Sequence, residues 1–254
     1  MKALTLLMLS LLASGAPAQE ITVAAAADLH SALDAIASRL QAESGIHVHA
    51  IYGSSGNFYQ QIQNGAPFDV FLSANVDYPK KLEAAGLTLP GTYFEYARGK
   101  IVLAIPANST LDIKQGLKVL TNPAVKKVAI ADPGHAPYGM AAVSALKAEH
   151  IYEQVSSKLV TAENISQAAS FVLSGAADAG IIALSLAKAP LAGAQVRFEE
   201  IPASDYSPIM QAGVVLRSSK QQKATEKFKA FLRGKEAASI FRRYGFDVPE
   251  AFEP

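Results

Sequence analysis

Two adjacent hydroxyl side chains, Ser54 and Ser55, lie between Gly53 and Gly56 in the stretch YGSSGN (52–57). Residues of this kind can form a turn, supply a nucleophile, or donate hydrogen bonds to an anion. The nucleophile reading is the most demanding. The elbow of α/β-hydrolases needs glycines two residues either side of its serine, and around Ser55 those positions hold Gly53 and Asn57. His135 could serve a serine as base, but it follows Asp132-Pro133-Gly134, a turn sequence, and no spacing brings a third group to it. His47 and His49 share one face of an extended run with no third metal ligand nearby. Neither the phosphate-cradling G-x-x-x-x-G-K-[ST] pattern nor the dinucleotide-binding G-x-G-x-x-G is present. The expectation is a protein that is not an enzyme, with a secreted hydrolase using Ser55 as the weaker rival.

Anion binding fits more of the chain. Small or polar residues stand between a strand-like run and a helix-like run at four places: Ala27-Asp28, Ser54-Ser55-Gly56, Pro137-Tyr138-Gly139 and Asn164-Ile165. Each leaves unpaired main-chain N–H groups at the positive end of a helix dipole, which favours an oxyanion. Singly, each is a helix cap. Four facing one cleft would make a site, although they do not name the anion.

The elements that must position these junctions follow from hydrophobic period. ITVAAAA (21–27) reads as a buried strand. Leu33, Ile36, Ala37 and Leu40 then repeat at helical spacing until Gly45. HVHAIY (47–52) is a second strand, NFYQQIQ (57–63) a helix and FDVFLS (68–73) a third strand. This β-α-β-α-β order implies a mostly parallel sheet flanked by helices. A second group starts at KIVLAIP (100–106), with strands at 126–133, 179–185 and 195–202 and helices at about 139–150 and 166–174. MQAGVVL (210–216) is a further strand, and helices over 220–234 and 236–244 close the chain. Tyr93–Gly99 and Ser204–Gln211 read as irregular crossings between the groups. The expected fold is α/β with two lobes, each a mostly parallel sheet flanked by helices, and a ligand cleft between them. Lobe 1 takes residues 19–97 plus 207–254, and lobe 2 takes 98–206.

Residues 1–18 read as a cleavable signal peptide. Lys2 is the charged start, Leu4 to Leu12 the apolar stretch, and Ala16-Pro17-Ala18 the small-residue end. That stretch is too short for a span of ~20 residues. The chain has no cysteine, hence neither a disulfide nor a lipid-anchoring thiol. A protein diffusing freely in a periplasm is expected. Basic and acidic residues number 23 and 22, with Lys2 among the former, and no basic cluster stands out. Nucleic acid and anionic membrane are therefore poor partners.

VAAAADL (23–29), YGSSGN, IQNGAPFDVFLSA (62–74), VAIADPGHAPYG (128–139), LVTAENISQAASFV (159–172) and FRRYGFDV (241–248) closely resemble the periplasmic molybdate-binding protein family of the molybdate ABC transporter. The resemblance runs in order through the chain beyond residue 18. It implies a type II periplasmic binding protein, a monomer without a cofactor, that delivers molybdate or tungstate to an inner-membrane ABC permease. In the family the tetrahedral oxyanion lies between the lobes without counter-charge, held by hydroxyls and main-chain amides, with no direct metal ligand. Carried over by position, Ser55 donates through hydroxyl and amide, and Tyr138 and Ile165 through their amides. Asp28 stands where a hydroxyl residue is common. Ala183 stands where some members have a tyrosine, and Tyr138 reads as the replacement phenol donor. Another oxyanion or a small organic acid is the alternative ligand.

Asp28 is the departure. A carboxylate facing a dianion is repelled, so three outcomes stand open. Its side chain caps the following helix, or it is protonated and donates, or the ligand carries its own donor.

Overall fold

The computed structural model describes residues 19–189 and 195–249, so the signal stretch 1–18 lies outside the described residues. The chain opens with β1 (Gln19–Ala26), a 3-10 turn (Ala27–Leu29), α1 (His30–Ser44), β2 (Ile46–Gly53), α2 (Ser55–Gln63), β3 (Val70–Ser73), α3 (Asp77–Ala84) and β4 (Phe94–Gly99). It continues through β5 (Ile101–Pro106), β6 (Val128–Ala131), α4 (Pro137–Ala148), α5 (Tyr152–Val155) and β7 (Leu159–Ala162). Then come α6 (Ile165–Leu173), β8 (Ala179–Ala183), α7 (Leu184–Ala187) and β9 (Val196–Glu200). β10 (Ile209–Val215), α8 (Gln222–Leu232) and α9 (Lys235–Arg243) complete it.

Two five-stranded sheets result, ordered β2-β1-β3-β10-β4 and β7-β6-β8-β5-β9. This is the expected two-lobed α/β fold. Each sheet is mostly parallel with one reversed strand: β1, β2 and β3 run parallel, as do β6, β7 and β8, whereas β10 lies antiparallel between β3 and β4, and β5 antiparallel between β8 and β9. A strand that crosses between sheets without an intervening helix arrives reversed, which the β-α-β count alone does not reveal. Central strands are apolar and buried along their length, as in β3 and β8. α1 turns Ala32, Leu33, Ile36 and Leu40 inward, where each of the larger side chains contributes about 1.5–3 kcal/mol. Gly45, at φ 71°, ends it in the left-handed conformation. α8 and α9 return to pack on α1, as expected.

Several elements differ from the sequence reading. Tyr93–Gly99 is largely β4, paired antiparallel with β10 across a bulge at Gln211/Ala212. Its partly exposed Glu95 and exposed Arg98 conceal a strand whose Phe94 and Tyr96 are buried. Strand β10 already begins at Ile209, inside the second expected crossing. LVTA (159–162) is the edge strand β7, and residues 184 and 185 of the expected strand 179–185 belong instead to α7.

Four strands matter for the site. β1 and β2 are parallel neighbours in one sheet, and β6 and β7 in the other. Their carboxyl ends supply the four strand-to-helix junctions, where open α/β sheets place ligands.

Candidate anion-binding site

All four junctions line one narrow, nearly closed cavity, whose walls include Ala27, Asp28, Ser55, Tyr138 and Ile165. The four residues expected to form the site, Asp28, Ser55, Tyr138 and Ile165, are thus brought together. No lysine or arginine lines it. A larger groove runs along α1 and α6, but helix flanks present no free N–H groups there.

Ser55 is the first residue of α2. Its Oγ accepts a hydrogen bond from Ala74 N at 2.9 Å, which leaves the hydroxyl proton to donate. Among the described residues no protein acceptor takes that proton, and the main-chain N–H groups of Ser55, Tyr138 and Ile165 have no acceptor either. Asn164 caps α6 through Gln167 N at 3.0 Å, so its neighbour's amide stays available. Pro137 opens α4 with no N–H of its own, making Tyr138 the first donor of that helix. Gly139 lets α4 approach β6, because a Cβ there would run into the carbonyl of Ala131.

Ser54 behaves differently from the turn or cap neighbour expected. It holds the N-cap position but makes no capping bond. Its Oγ lies 2.7 Å from His135 Nδ1 and donates to His135 O at 2.9 Å, and Gly56 N donates to the same carbonyl at 3.0 Å. His135, expected as a turn residue, is therefore a contact between the walls of the cleft. With Asp132 Oδ2 3.5 Å from His135 Nε2, a serine, an imidazole and a carboxylate stand in line. Ser54 is only 4 % exposed and its hydroxyl is engaged twice by one residue, so the line fastens two walls rather than presenting a nucleophile.

Asp28 sits within the 3-10 turn, 1 % exposed. It caps nothing: the turn runs straight into α1, whose N-cap residue is the helical Leu29, so Asp28 lies inside the helical path. Its Oδ2 accepts from Tyr138 Oη at 2.8 Å and from Gln211 Nε2 at 2.5 Å. Among the described residues Oδ1 has no partner, nor does Gln211 Oε1. Burial pushes the carboxyl up to about 6, with the bonds from Gln211 and Tyr138 pulling the other way. Burial first, then the charge of Asp28, raise the Tyr138 phenol well above its ordinary range.

A phenol has one proton, and that of Tyr138 is directed to Asp28. The structure departs from the expected replacement phenol donor: the hydroxyl proton is engaged by Asp28, while the Tyr138 amide is left without an acceptor among the described residues. Gly99 makes room for the phenol, since a Cβ there would overlap Tyr138 Oη. Ser185 Oγ donates to Asp28 O at 2.8 Å and Ser166 Oγ to Ala27 O at 2.9 Å, fixing the turn from the opposite sheet's helices. Ala183 is buried at the end of β8. Gln211 escapes the sequence reading, although a lone amide in the apolar strand MQAGVVL is a visible anomaly that must find a buried partner.

Comparison with known proteins agrees with this geometry. The family described as bacterial extracellular solute-binding protein matches residues 21–247. The molybdate-binding protein ModA of Azotobacter vinelandii is 40 % identical over 240 residues, covering 94 % of both chains. That of Rhodobacter capsulatus is 38 % identical over 235 residues, covering 92 % of this chain and 91 % of its own. Among solved structures, the Azotobacter vinelandii periplasmic molybdate-binding protein superposes with a TM-score of 0.85 at 35 % identity, covering 90 % of this chain and 99 % of that one.

Proposed function

The chain belongs to the bacterial extracellular solute-binding protein family, and we propose that it captures molybdate or tungstate in the periplasm and delivers it to an inner-membrane ABC permease. The observation that carries the reading is the convergence of four helix-start junctions on one buried cavity with no basic side chain. Free amides of Ser55, Tyr138 and Ile165 and the free proton of Ser55 suit a small tetrahedral anion bound without counter-charge. The named specificity of the Azotobacter and Rhodobacter relatives supports molybdate as that anion. Inside the closed cleft, where water is excluded, each hydrogen bond strengthens. No bond is made or broken.

We also infer that lobe 1 comprises residues 19–97 plus 207–254 and lobe 2 residues 98–206. The placement of β1–β4 and β10 in one sheet and β5–β9 in the other supports this division, with β4 running two residues past the first boundary to Gly99. Among the described residues no helix is long and apolar enough to cross a membrane, which accords with delivery by a diffusing, monomeric carrier released from its signal peptide.

A thermal-shift series with molybdate, tungstate, sulfate and phosphate tests the assignment. Ligand at a hundred times Kd stabilises by about 2.7 kcal/mol, so molybdate and tungstate should raise Tm by several degrees. A shift with sulfate or phosphate alone would overturn it.

A further inference from the structure

We infer that Asp28 meets the oxyanion as a carboxylic acid carrying its proton on Oδ1, which makes it a specificity-determining donor and makes capture take up one proton. The inference rests on the cavity being the oxyanion site and adds to it the protonation state of one wall.

The hydrogen bonds around the carboxyl decide which oxygen bears the proton. Tyr138 Oη and Gln211 Nε2 both donate to Oδ2, occupying its two lone pairs. A proton on the group therefore belongs on Oδ1. That atom is buried and unpartnered among the described residues, in a side chain that lines the cavity. As an ionised acceptor it would carry charge out of reach of solvent with no donor and, in the complex, close to a dianion. As an O–H it supplies what an oxyanion needs.

No positive charge nearby opposes the acid form; only the neutral donors Gln211 and Tyr138 favour the carboxylate, against the larger effect of burial. The titratable groups facing Asp28 are the phenols of Tyr138 on α4 and Tyr96 on β4, both pushed upward and neutral. Along α6, α7 and β10 there is no titratable side chain. On α1, exposed His30 and Asp34 are engaged with each other and with Tyr52 of β2. No lysine or arginine lines the cavity to hold the carboxylate ionised. Burial already raises the carboxyl to about 6, and an arriving dianion raises it further. An anion bearing its own O–H, such as hydrogen phosphate, would meet a donor where it needs an acceptor, so the acid form selects anions without a donor.

Isothermal titration of the full chain with molybdate from pH 6.5 to 8.5, in buffers of different ionisation heat, tests this. Uptake of one proton predicts buffer-dependent heats and an affinity that falls about tenfold per pH unit at the alkaline end. Asp28→Asn, which keeps an N–H donor and cannot titrate, should bind with a flat pH profile and exceed the wild type at pH 8.5. Tight molybdate binding with flat affinity and buffer-independent heats in the wild type overturns the acid while leaving the oxyanion site intact. If molybdate fails at every pH and hydrogen phosphate binds without proton uptake, the acid and the site reading both fall. Should Asp28→Asn not fold, the wild-type buffer dependence decides alone.

Discussion

Ser54 Oγ lies 2.7 Å from His135 Nδ1 and donates to the carbonyl of the same residue, joining the end of β2 to the loop that precedes α4. One residue thus closes the cleft beside the anion cavity without touching the anion's free donors. Ser54→Ala removes both bonds, each worth about 0.5–1.5 kcal/mol between neutral groups. Together that is about 1–3 kcal/mol, so release of molybdate should quicken by at least about fivefold, with association little changed. Stopped-flow displacement measures this, and an unaltered release rate would show that the contact does not couple the walls.

Ser55→Ala deletes a cavity-lining hydroxyl whose proton no described residue accepts. A bond to a charged acceptor is worth about 1.5–3 kcal/mol, so affinity should fall at least tenfold. Ala74 N also loses its acceptor, and a drop in Tm should accompany the loss. Calorimetry that returns wild-type affinity would remove Ser55 from the site.

Tyr138→Phe keeps the amide at the cavity and removes a hydrogen bond that holds the Asp28 carboxyl down. The pH at which molybdate affinity begins to fall should therefore move upward. A merely structural role would not shift that profile. A uniform loss at every pH, with no shift, would return the phenol to the ligand.

Gly99 joins β4 to β5 directly beneath the Tyr138 phenol. Gly99→Ala forces Tyr138 aside, and overpacking of this kind costs about 1–3 kcal/mol. In a Tyr138→Phe background the penalty should shrink, because the clashing oxygen is gone. A double-mutant cycle of urea unfolding measures the coupling, and strict additivity would place the strain elsewhere.

In the absence of ligand, burial raises Asp28 from 3.8 to about 6. A carboxyl raised in the folded state contributes stability that is present below pH 4 and lost as pH rises through 6, an effect of about 3 kcal/mol. Asp28→Asn should therefore gain on the wild type between pH 4.5 and 7.5 in urea unfolding. A constant difference between the two proteins across that range would mean that Asp28 keeps its ordinary titration when folded.

The sequence by itself determined the parts whose signal is local. Apolar runs marked most of the strands, the spacing of Leu33, Ile36 and Leu40 marked α1, and small or polar residues before helices marked all four walls of the cavity. Those signals survive because helix starts and buried strands are specified by neighbours in the chain. Tertiary structure decided what depends on residues far apart in sequence. β4 became a strand through its pairing with β10, more than a hundred residues on, and its exposed Arg98 hid it from a reading of period. Asp28 looked like a cap until Tyr138 and Gln211 approached from 110 and 183 residues away and claimed one of its oxygens. Ser54 looked like a turn until His135 crossed the cleft to it. A side chain's protonation and its hydrogen-bond partner depend on which groups are packed around it and on how much water is excluded, and only the folded chain fixes both.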